Sequence, residues 1–225
     1  MNGPTLLRKS TSKSEIAALP RFFFEGPTHV IISENEAIRA VSALEKHKIL
    51  GIDTETRPSF KRGISHRVAL LQIASFDACF LFRLNRMGLP ECLVRLLERK
   101  DILKIGLSLK DDFLMLHGRS DFTPQGIVEL QEYVKAMGIS DMSLQKIYAN
   151  IFGKRISKSA RLSNWEADSL SEAQQIYAAT DAYACLQLYT ELEKIKANGY
   201  QIIDKEEVTA TDEKQGPEPE GNLVT

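Results

Sequence analysis

The chain lacks long apolar runs and paired cysteines. No apolar stretch approaches the about 20 residues that a membrane-spanning helix needs. The three cysteines, Cys79, Cys92 and Cys185, are odd in number, show no C-x-x-C spacing and lie within apolar segments. This pattern predicts buried, reduced thiols rather than disulfides or zinc ligands, and it favours a cytoplasmic, reducing environment.

The chain also lacks a charge imbalance. Its 29 basic and 30 acidic residues give a formal charge of -1. The overall charge therefore does not indicate a nucleic-acid-binding protein, and any basic surface must be local. Residues 1–20 contain no apolar core of signal-peptide length.

Composition divides the chain into three predicted parts. Residues 1–20 mix Lys, Ser and Thr without periodicity, which predicts a flexible arm. Residues 203–225 contain seven acidic residues, two Pro and two Gly, which predicts an acidic disordered tail. The part between them, residues 21–202, is long enough to form one domain with a sizeable core.

Local patterns predict an α/β fold for this domain. Capping boxes at Ser33/Glu36 and Ser171/Gln174 begin helices that end near residues 48 and 197. Further helices are expected after Pro90, after Ser108, and after Asp141 or Ser143. Apolar runs predict strands at residues 30–32, 49–55, 68–74, 78–82, 102–106 and 126–130. Because only three residues separate 68–74 from 78–82, this pair must be an antiparallel hairpin. We expect a mixed sheet of about five strands, flanked by helices.

Two carboxylates end the strand at 49–55. Asp53 and Glu55 are two residues apart, so their side chains leave the same face of a strand. Like charges this close repel each other unless a cation lies between them, and oxygen ligands suit a hard divalent metal. A single Asp-x-Glu is more often a polar turn, so the interpretation depends on other carboxylates.

Two helices can bring further carboxylates to the same place. Asp112 lies near the start of a helix that follows another strand, although Asp111 and Asp112 also suit the dipole at a helix N-terminus. Asp181 lies within an apolar helix, where a buried carboxylate needs a partner. Tyr177 precedes it by one turn. Four carboxylates and a tyrosine hydroxyl could hydrolyse a phosphodiester with two metal ions.

These segments resemble a known family. Asp53-Thr-Glu55, Asp112 after Ile105-Gly-Leu-Ser-Leu-Lys-Asp111, and Tyr177-Ala-Ala-Thr-Asp181 are similar, in order, to the three exonuclease motifs of the DEDDy superfamily. Residues 153–166, which include Ser163-Asn-Trp165, resemble the linker of ribonuclease D-like and Werner-type exonuclease domains. The resemblance covers residues 25–197. It departs from related domains at Ser108, where an Asn is frequent, and we expect no helicase or helical nucleic-acid-binding module after it.

The resemblance implies a ribonuclease H-like fold and 3′-to-5′ release of nucleoside monophosphates from DNA or RNA, with Mg²⁺ or Mn²⁺. By position, Asp53, Glu55 and Asp181 would hold the first metal, and Asp53 the second. Asp112, rather than the neighbouring Asp111, would help to position the second metal. Tyr177 would orient the attacking water.

Substrate contacts are predicted from two basic segments and from the resemblance. The segments 57–67 and 154–161 are rich in basic residues, and Arg57 and Lys158 are their candidates for phosphate contacts. The resemblance adds Leu109 as a wedge against a base and Thr54 as a contact to the terminal sugar. Trp165 is expected to pack the linker onto the domain. Two other functions remain open: a catalytically silent nucleic-acid-binding or scaffold module, and a small-molecule phosphohydrolase.

Overall fold

The computed structural model describes residues 4–61 and 63–204. Within these ranges, no helix has both the length and the apolar character needed to cross a membrane.

The ten strands of the described chain are β1 Thr5–Arg8, β2 Arg21–Phe22, β3 Thr28–Ile31, β4 Ile49–Thr56, β5 Val68–Ala74, β6 Cys79–Arg83, β7 Leu103–Gly106, β8 Ile127–Glu129, β9 Arg155–Ile156 and β10 Tyr200–Ile203. Its eight helices are α1 Lys13–Ala18, α2 Glu34–Leu44, α3 Leu84–Met87, α4 Glu91–Glu98, α5 Leu109–Leu116, α6 Leu130–Ala136, α7 Leu144–Phe152 and α8 Glu172–Asn198.

A mixed six-stranded sheet forms the centre of the molecule. Its strand order is β3-β6-β5-β4-β7-β8. Strand β5 runs antiparallel to β4 and β6, whereas the pairs β3/β6, β4/β7 and β7/β8 are parallel. The predicted hairpin is therefore confirmed as β5 and β6. Because β4, β7 and β8 are parallel, their carboxyl ends meet at one edge of the sheet, where ligands bind in such folds.

Helices cover both faces of the sheet. One face packs against α2, α4 and α5, whose apolar residues Val41, Leu44, Leu93, Leu97 and Phe113 are buried with residues of β4 and β5. The other face packs against α8, with α6 and α7 beside its carboxyl-terminal half. The predicted α/β fold, a mixed sheet flanked by helices, is thus confirmed.

The long helix α8 lies unusually close to β4. Its start has the predicted capping box, in which the Ser171 side chain accepts from the Gln174 N–H. A Cβ atom added to Gly51 would lie 1.9 Å from the carbonyl oxygen of Ala182. Only glycine permits this close approach, and it brings the middle of α8 over the end of β4 that carries Asp53.

The prediction of a flexible arm at residues 1–20 is wrong for the residues that the structure describes. β1 pairs in parallel with β10, and Leu7 is only 2% exposed against the apolar residues of α7 and α8. Ser12 and Glu15 form a capping box for α1. The apolar contact of Leu7 and the ladder with β10 provide the ordering that the local composition does not.

The predicted disordered tail at 203–225 lies mostly outside the described residues. Its first residue, Ile203, belongs to β10 and is paired with Arg8. The predicted caps at Ser108 and Ser143 also differ from the structure, because both residues precede a helix but neither side chain makes a capping hydrogen bond.

Candidate functional site

The carboxyl end of β4 holds two of the predicted acids on one face of the sheet. Asp53 lies opposite Gln72 of β5, and Glu55 lies opposite Leu70. This face is the one that packs against α8, because Leu70 is buried with Tyr177, Ala178 and Ala182. Glu55 is 8% exposed. The strand therefore aims both carboxylates at the helix rather than into solvent.

Helix α8 adds a third carboxylate to this pair. Asp181 is 8% exposed and lies within the close approach of α8 to β4. One oxygen from each of Asp53, Glu55 and Asp181 lies within 4.8 Å of the other two. Three convergent carboxylate oxygens are a donor set that fits a hard divalent cation. The cluster could therefore hold a divalent metal.

Helix α5 brings Asp112 beside this cluster. The hydroxyl of Thr54 donates a 2.6 Å hydrogen bond to Oδ1 of Asp112. Asp111 is exposed, whereas Asp112 is partly buried. Of the two neighbouring acids, Asp112 is therefore the one that faces the site, as the motif predicts.

Burial raises the pKa values of all four acids, and repulsion by neighbouring acids adds to the shift for Asp53, Glu55 and Asp112. Burial, followed by the charges of Asp181 and Glu55, holds the pKa of Asp53 well above its usual range. Burial and the charge of Asp181 raise the pKa of Glu55 to about 9. Burial raises the pKa of Asp181 to about 7 and that of Asp112 to about 6. A bound cation would reverse this effect, because it stabilises the ionised carboxylates.

Tyr177 lies one helical turn before Asp181 and contacts it. A hydrogen bond from the tyrosine lowers the pKa of Asp181. Burial and the charges of Asp181 and Glu55 raise the pKa of the Tyr177 hydroxyl far above its usual value. The tyrosine is therefore protonated at neutral pH and acts as a hydrogen-bond donor rather than as a base.

Trp165 supports Tyr177 from the linker. The Trp165 ring is fully buried, and its centroid lies 6.0 Å from the centroid of the Tyr177 ring. The residue that follows the linker, Ala167, is also held by the buried Arg83, which donates to its carbonyl oxygen. Gln174 of α8 donates to Ser163 Oγ at 2.9 Å. This packing is the role that the sequence predicts for Trp165.

A cleft of about 400 Å³ opens onto the carboxylates. Thr54, Leu107, Lys158 and Arg161 line it together with Asp53, Glu55, Tyr177 and Asp181. Lys158 and Arg161 are exposed, and their charges lower the pKa values of Asp181 and Glu55 respectively. The segment 154–161 thus contributes two cations to the wall of the cleft.

The predicted substrate contacts have different outcomes. Thr54 and Lys158 lie in the cleft. The prediction for Leu109 as a wedge is wrong, because its side chain is 1% exposed and packs in the core next to Gly106. Leu107 is the apolar residue that lines the cleft instead. Arg57 is not among the described residues of the cleft lining, and it pairs with Glu166 at 3.2 Å; its contact with substrate stays a prediction.

The sequence reasoning missed Glu129 at the end of β8. Its carboxylate accepts hydrogen bonds from the backbone N–H groups of Ser108 and Leu109, at 3.0 and 2.7 Å. The signal was present, because Glu129 ends a strand that the sequence predicts at 126–130. An acid at a strand end belongs to the same sheet edge as Asp53.

Comparisons with known proteins agree with this geometry. A 3′-5′ exonuclease family model matches residues 28–196. The bifunctional 3′-5′ exonuclease/ATP-dependent helicase WRN of Mus musculus is 34% identical over 177 residues, which cover 76% of this chain and 12% of that protein. The chain therefore spans only a small part of this relative.

Solved structures share the fold. The Nibbler EXO domain of Aedes aegypti superposes with a TM-score of 0.73 at 21% identity, covering 84% of this chain and 98% of that one. The complex of Trypanosoma brucei RNase D with RNA U12 has a TM-score of 0.66 at 20% identity, covering 75% of this chain and 63% of that one. With its acidic cluster, its mixed sheet and its long final helix, the chain belongs to the DEDDy-type 3′-5′ exonuclease domains of the ribonuclease H-like fold.

Proposed function

We propose that this chain removes nucleotides one at a time from the 3′ end of a nucleic acid, using two divalent cations, Mg²⁺ or Mn²⁺. The observation that carries the proposal is the cluster of Asp53, Glu55 and Asp181, whose oxygens lie within 4.8 Å of one another. All three pKa values are raised, so the cluster favours a cation from outside the protein. Membership of the exonuclease family supports the reaction class.

The carboxylates have separate roles in this proposal. Asp53, Glu55 and Asp181 hold the first cation, and Asp53 extends to the second. Asp112, tethered by the Thr54 hydroxyl, positions the second. When bound, the two cations supply a hydroxide nucleophile and stabilise the charge that develops on the phosphorus and the leaving oxygen.

Tyr177 orients the attacking water through its hydroxyl group. Its raised pKa keeps the proton on the hydroxyl, so the tyrosine does not serve as the base. The packing of Trp165 against its ring limits the positions that the hydroxyl can take. This fixed geometry contributes to the rate because it is set before the substrate arrives.

The remaining cleft residues handle the substrate. Lys158 and Arg161 contact the phosphate backbone, Thr54 contacts the terminal sugar, and Leu107 packs against the terminal base. The RNA bound to the T. brucei relative supports a nucleic-acid substrate. The three buried free cysteines support a reducing, cytoplasmic environment.

The proposal is tested with 5′-labelled single-stranded RNA, single-stranded DNA and duplex DNA with a 3′ overhang. Each is incubated with the purified chain in Mg²⁺, in Mn²⁺ and in chelator. We expect stepwise shortening from the 3′ end that requires a cation and releases nucleoside monophosphates. Binding of these substrates without shortening would instead identify a catalytically silent module.

A further inference from the structure

Glu129 joins the starts of two helices at the edge of the sheet that carries the site. Its Oε1 atom accepts from the N–H groups of Ser108 and Gln131, at 3.0 and 3.2 Å. Its Oε2 atom accepts from the N–H of Leu109 at 2.7 Å. One side chain therefore caps both α5 and α6, whose first N–H groups have no partner within their own helices.

The turn that Glu129 holds has a strained backbone. Ser108 has a φ of 63°, and it is the one non-glycine residue with positive φ among the residues that the structure describes. Its own side chain makes no capping hydrogen bond. A serine in the left-handed region persists only where its surroundings hold it, and strain of this kind is concentrated at functional sites.

This turn leads directly into the site. Leu107 and Ser108, which belong to the turn, line the cleft. Asp112 follows within the first turn of α5 and accepts from the Thr54 hydroxyl at 2.6 Å. Movement at Ser108 would therefore shift the start of α5, and with it the Asp112 carboxylate relative to β4.

We propose that Glu129 is a positioning residue of the exonuclease site. By holding the N–H groups of Ser108 and Leu109, it fixes the turn that aims Asp112 and so sets the affinity for the second cation. It acts through Asp112 and touches neither substrate nor cation. This inference rests on the proposed two-cation function.

The role requires a carboxylate rather than an amide of the same shape. Both oxygens of Glu129 accept backbone N–H groups. In Glu129→Gln, one of these oxygens becomes an NH₂ donor, which cannot accept a hydrogen bond. One N–H of the turn then faces a donor, so the variant loosens the turn with little change in side-chain volume.

The test measures Mn²⁺ binding by calorimetry on chelator-treated protein, together with the Mg²⁺ dependence of kcat. For Glu129→Gln we expect affinity at the weaker cation site to fall about 10- to 100-fold, with the oligonucleotide KM almost unchanged. Excess Mg²⁺ should restore part of kcat. If the glutamine variant does not fold, Glu129→Asp replaces it in the same measurements.

Two comparisons separate positioning from simple helix capping. Ser33→Ala removes the capping box of α2, away from the cleft, and should lower the melting temperature without changing cation binding. The double variant Glu129→Gln/Asp112→Asn should bind cations no more weakly than Asp112→Asn alone. Glu129 acts only through the Asp112 carboxylate, so its loss has no further effect once that carboxylate is removed.

The outcome that overturns the inference is normal affinity at both cation sites in Glu129→Gln, even with a lower melting temperature. Additive losses in the double variant would overturn it as well. Failure of the proposed function would look different, because the unaltered chain would then fail to shorten any substrate.

Discussion

Acidic residues at the two ends of the parallel strands β4 and β7 have opposite surroundings and opposite pKa shifts. At the amino end, Asp101 accepts from Arg99 at 2.6 and 2.8 Å and from Lys48 at 3.1 Å. These hydrogen bonds hold the pKa of Asp101 well below its usual range. At the carboxyl end, burial raises the pKa values of Asp53, Glu55 and Asp181, and neighbouring acids raise those of Asp53 and Glu55 further.

The difference distinguishes a stabilising ion pair from a site prepared for a ligand. Asp101 is neutralised by cations of the protein itself, so it needs nothing further. The cluster around Asp53 is destabilising in its ionised form, and a divalent cation would relieve the repulsion. If the cluster has the proposed function, acidic residues cost stability at that end of the sheet, whereas Asp101 does not at the other end.

The largest effect is expected from Asp53→Asn, which in the proposed mechanism removes a charge shared by both cations. A unit charge about 4 Å away is worth about 4 kcal/mol at an effective dielectric constant of 20. Activity should therefore fall at least about a thousandfold. Because the change also removes repulsion, the metal-free variant should melt at the same or a higher temperature than the unaltered chain. Near-normal turnover by Asp53→Asn would show that the cluster is not the catalytic centre.

The next effect is expected from Tyr177→Phe, which removes the hydroxyl and keeps the ring against Trp165. We expect kcat to fall about a hundredfold, the size typical for one positioned donor. Mn²⁺ binding, followed by calorimetry, should keep the same stoichiometry. An unchanged kcat would exclude Tyr177 from the reaction.

A smaller effect is expected from Lys158→Ala at the wall of the cleft. Loss of one phosphate contact should raise KM, leave kcat within a fewfold, and reduce the salt dependence of binding by about 0.7 in log–log slope for a single strand. The matched control is Lys154→Ala, since Lys154 lies over the Phe22 ring at 5.9 Å and is not in the cleft lining described above. Equal losses in both variants would argue against a specific contact at Lys158.

The smallest effect concerns the stability of the metal-free protein against pH. A carboxyl whose pKa is higher in the folded than in the unfolded chain binds its proton more tightly when folded. Stability therefore falls as pH rises between the two values, which for Glu55 are 4.5 and about 9. The lowered pKa of Asp101 has its effect only below 3.8. We expect the melting temperature in chelator to fall by several degrees from pH 5 to 9, and less so in Glu55→Gln. A melting temperature that does not change between pH 5 and 9 would show that the acids at the carboxyl end do not differ from Asp101 in this way.

The acidic residues and the tyrosine of the candidate site were easier to find from the sequence than the surfaces around them. Asp53, Glu55, Asp112, Tyr177 and Asp181 are recognisable because strand and helix periodicity place them on definite faces. The approach of Tyr177 and Asp181 to β4 then depends on one close contact, between Gly51 and Ala182. The main sign of such a contact in the sequence is a glycine within a strand, which does not identify the element that it contacts.

Errors arose where the tertiary structure overrides local pattern. Ser108 adopts a left-handed conformation, which turns Leu109 into the core and leaves Leu107 in the cleft. The spacing of apolar residues, from which helices are predicted, gives no sign of a left-handed turn at this position. The pairing of β1 with β10 joins residues almost 200 positions apart, and each strand has only four residues. The capping box of Ser12 and Glu15 was readable, however, and would have identified α1.

The most direct test of the account is a calorimetric titration of the metal-free chain with Mn²⁺, repeated with Asp53→Asn and Asp101→Asn. The account predicts two bound cations per chain in the unaltered protein and in Asp101→Asn, and loss of tight binding in Asp53→Asn. Binding that is absent from the unaltered chain, or that survives in Asp53→Asn but not in Asp101→Asn, would contradict it.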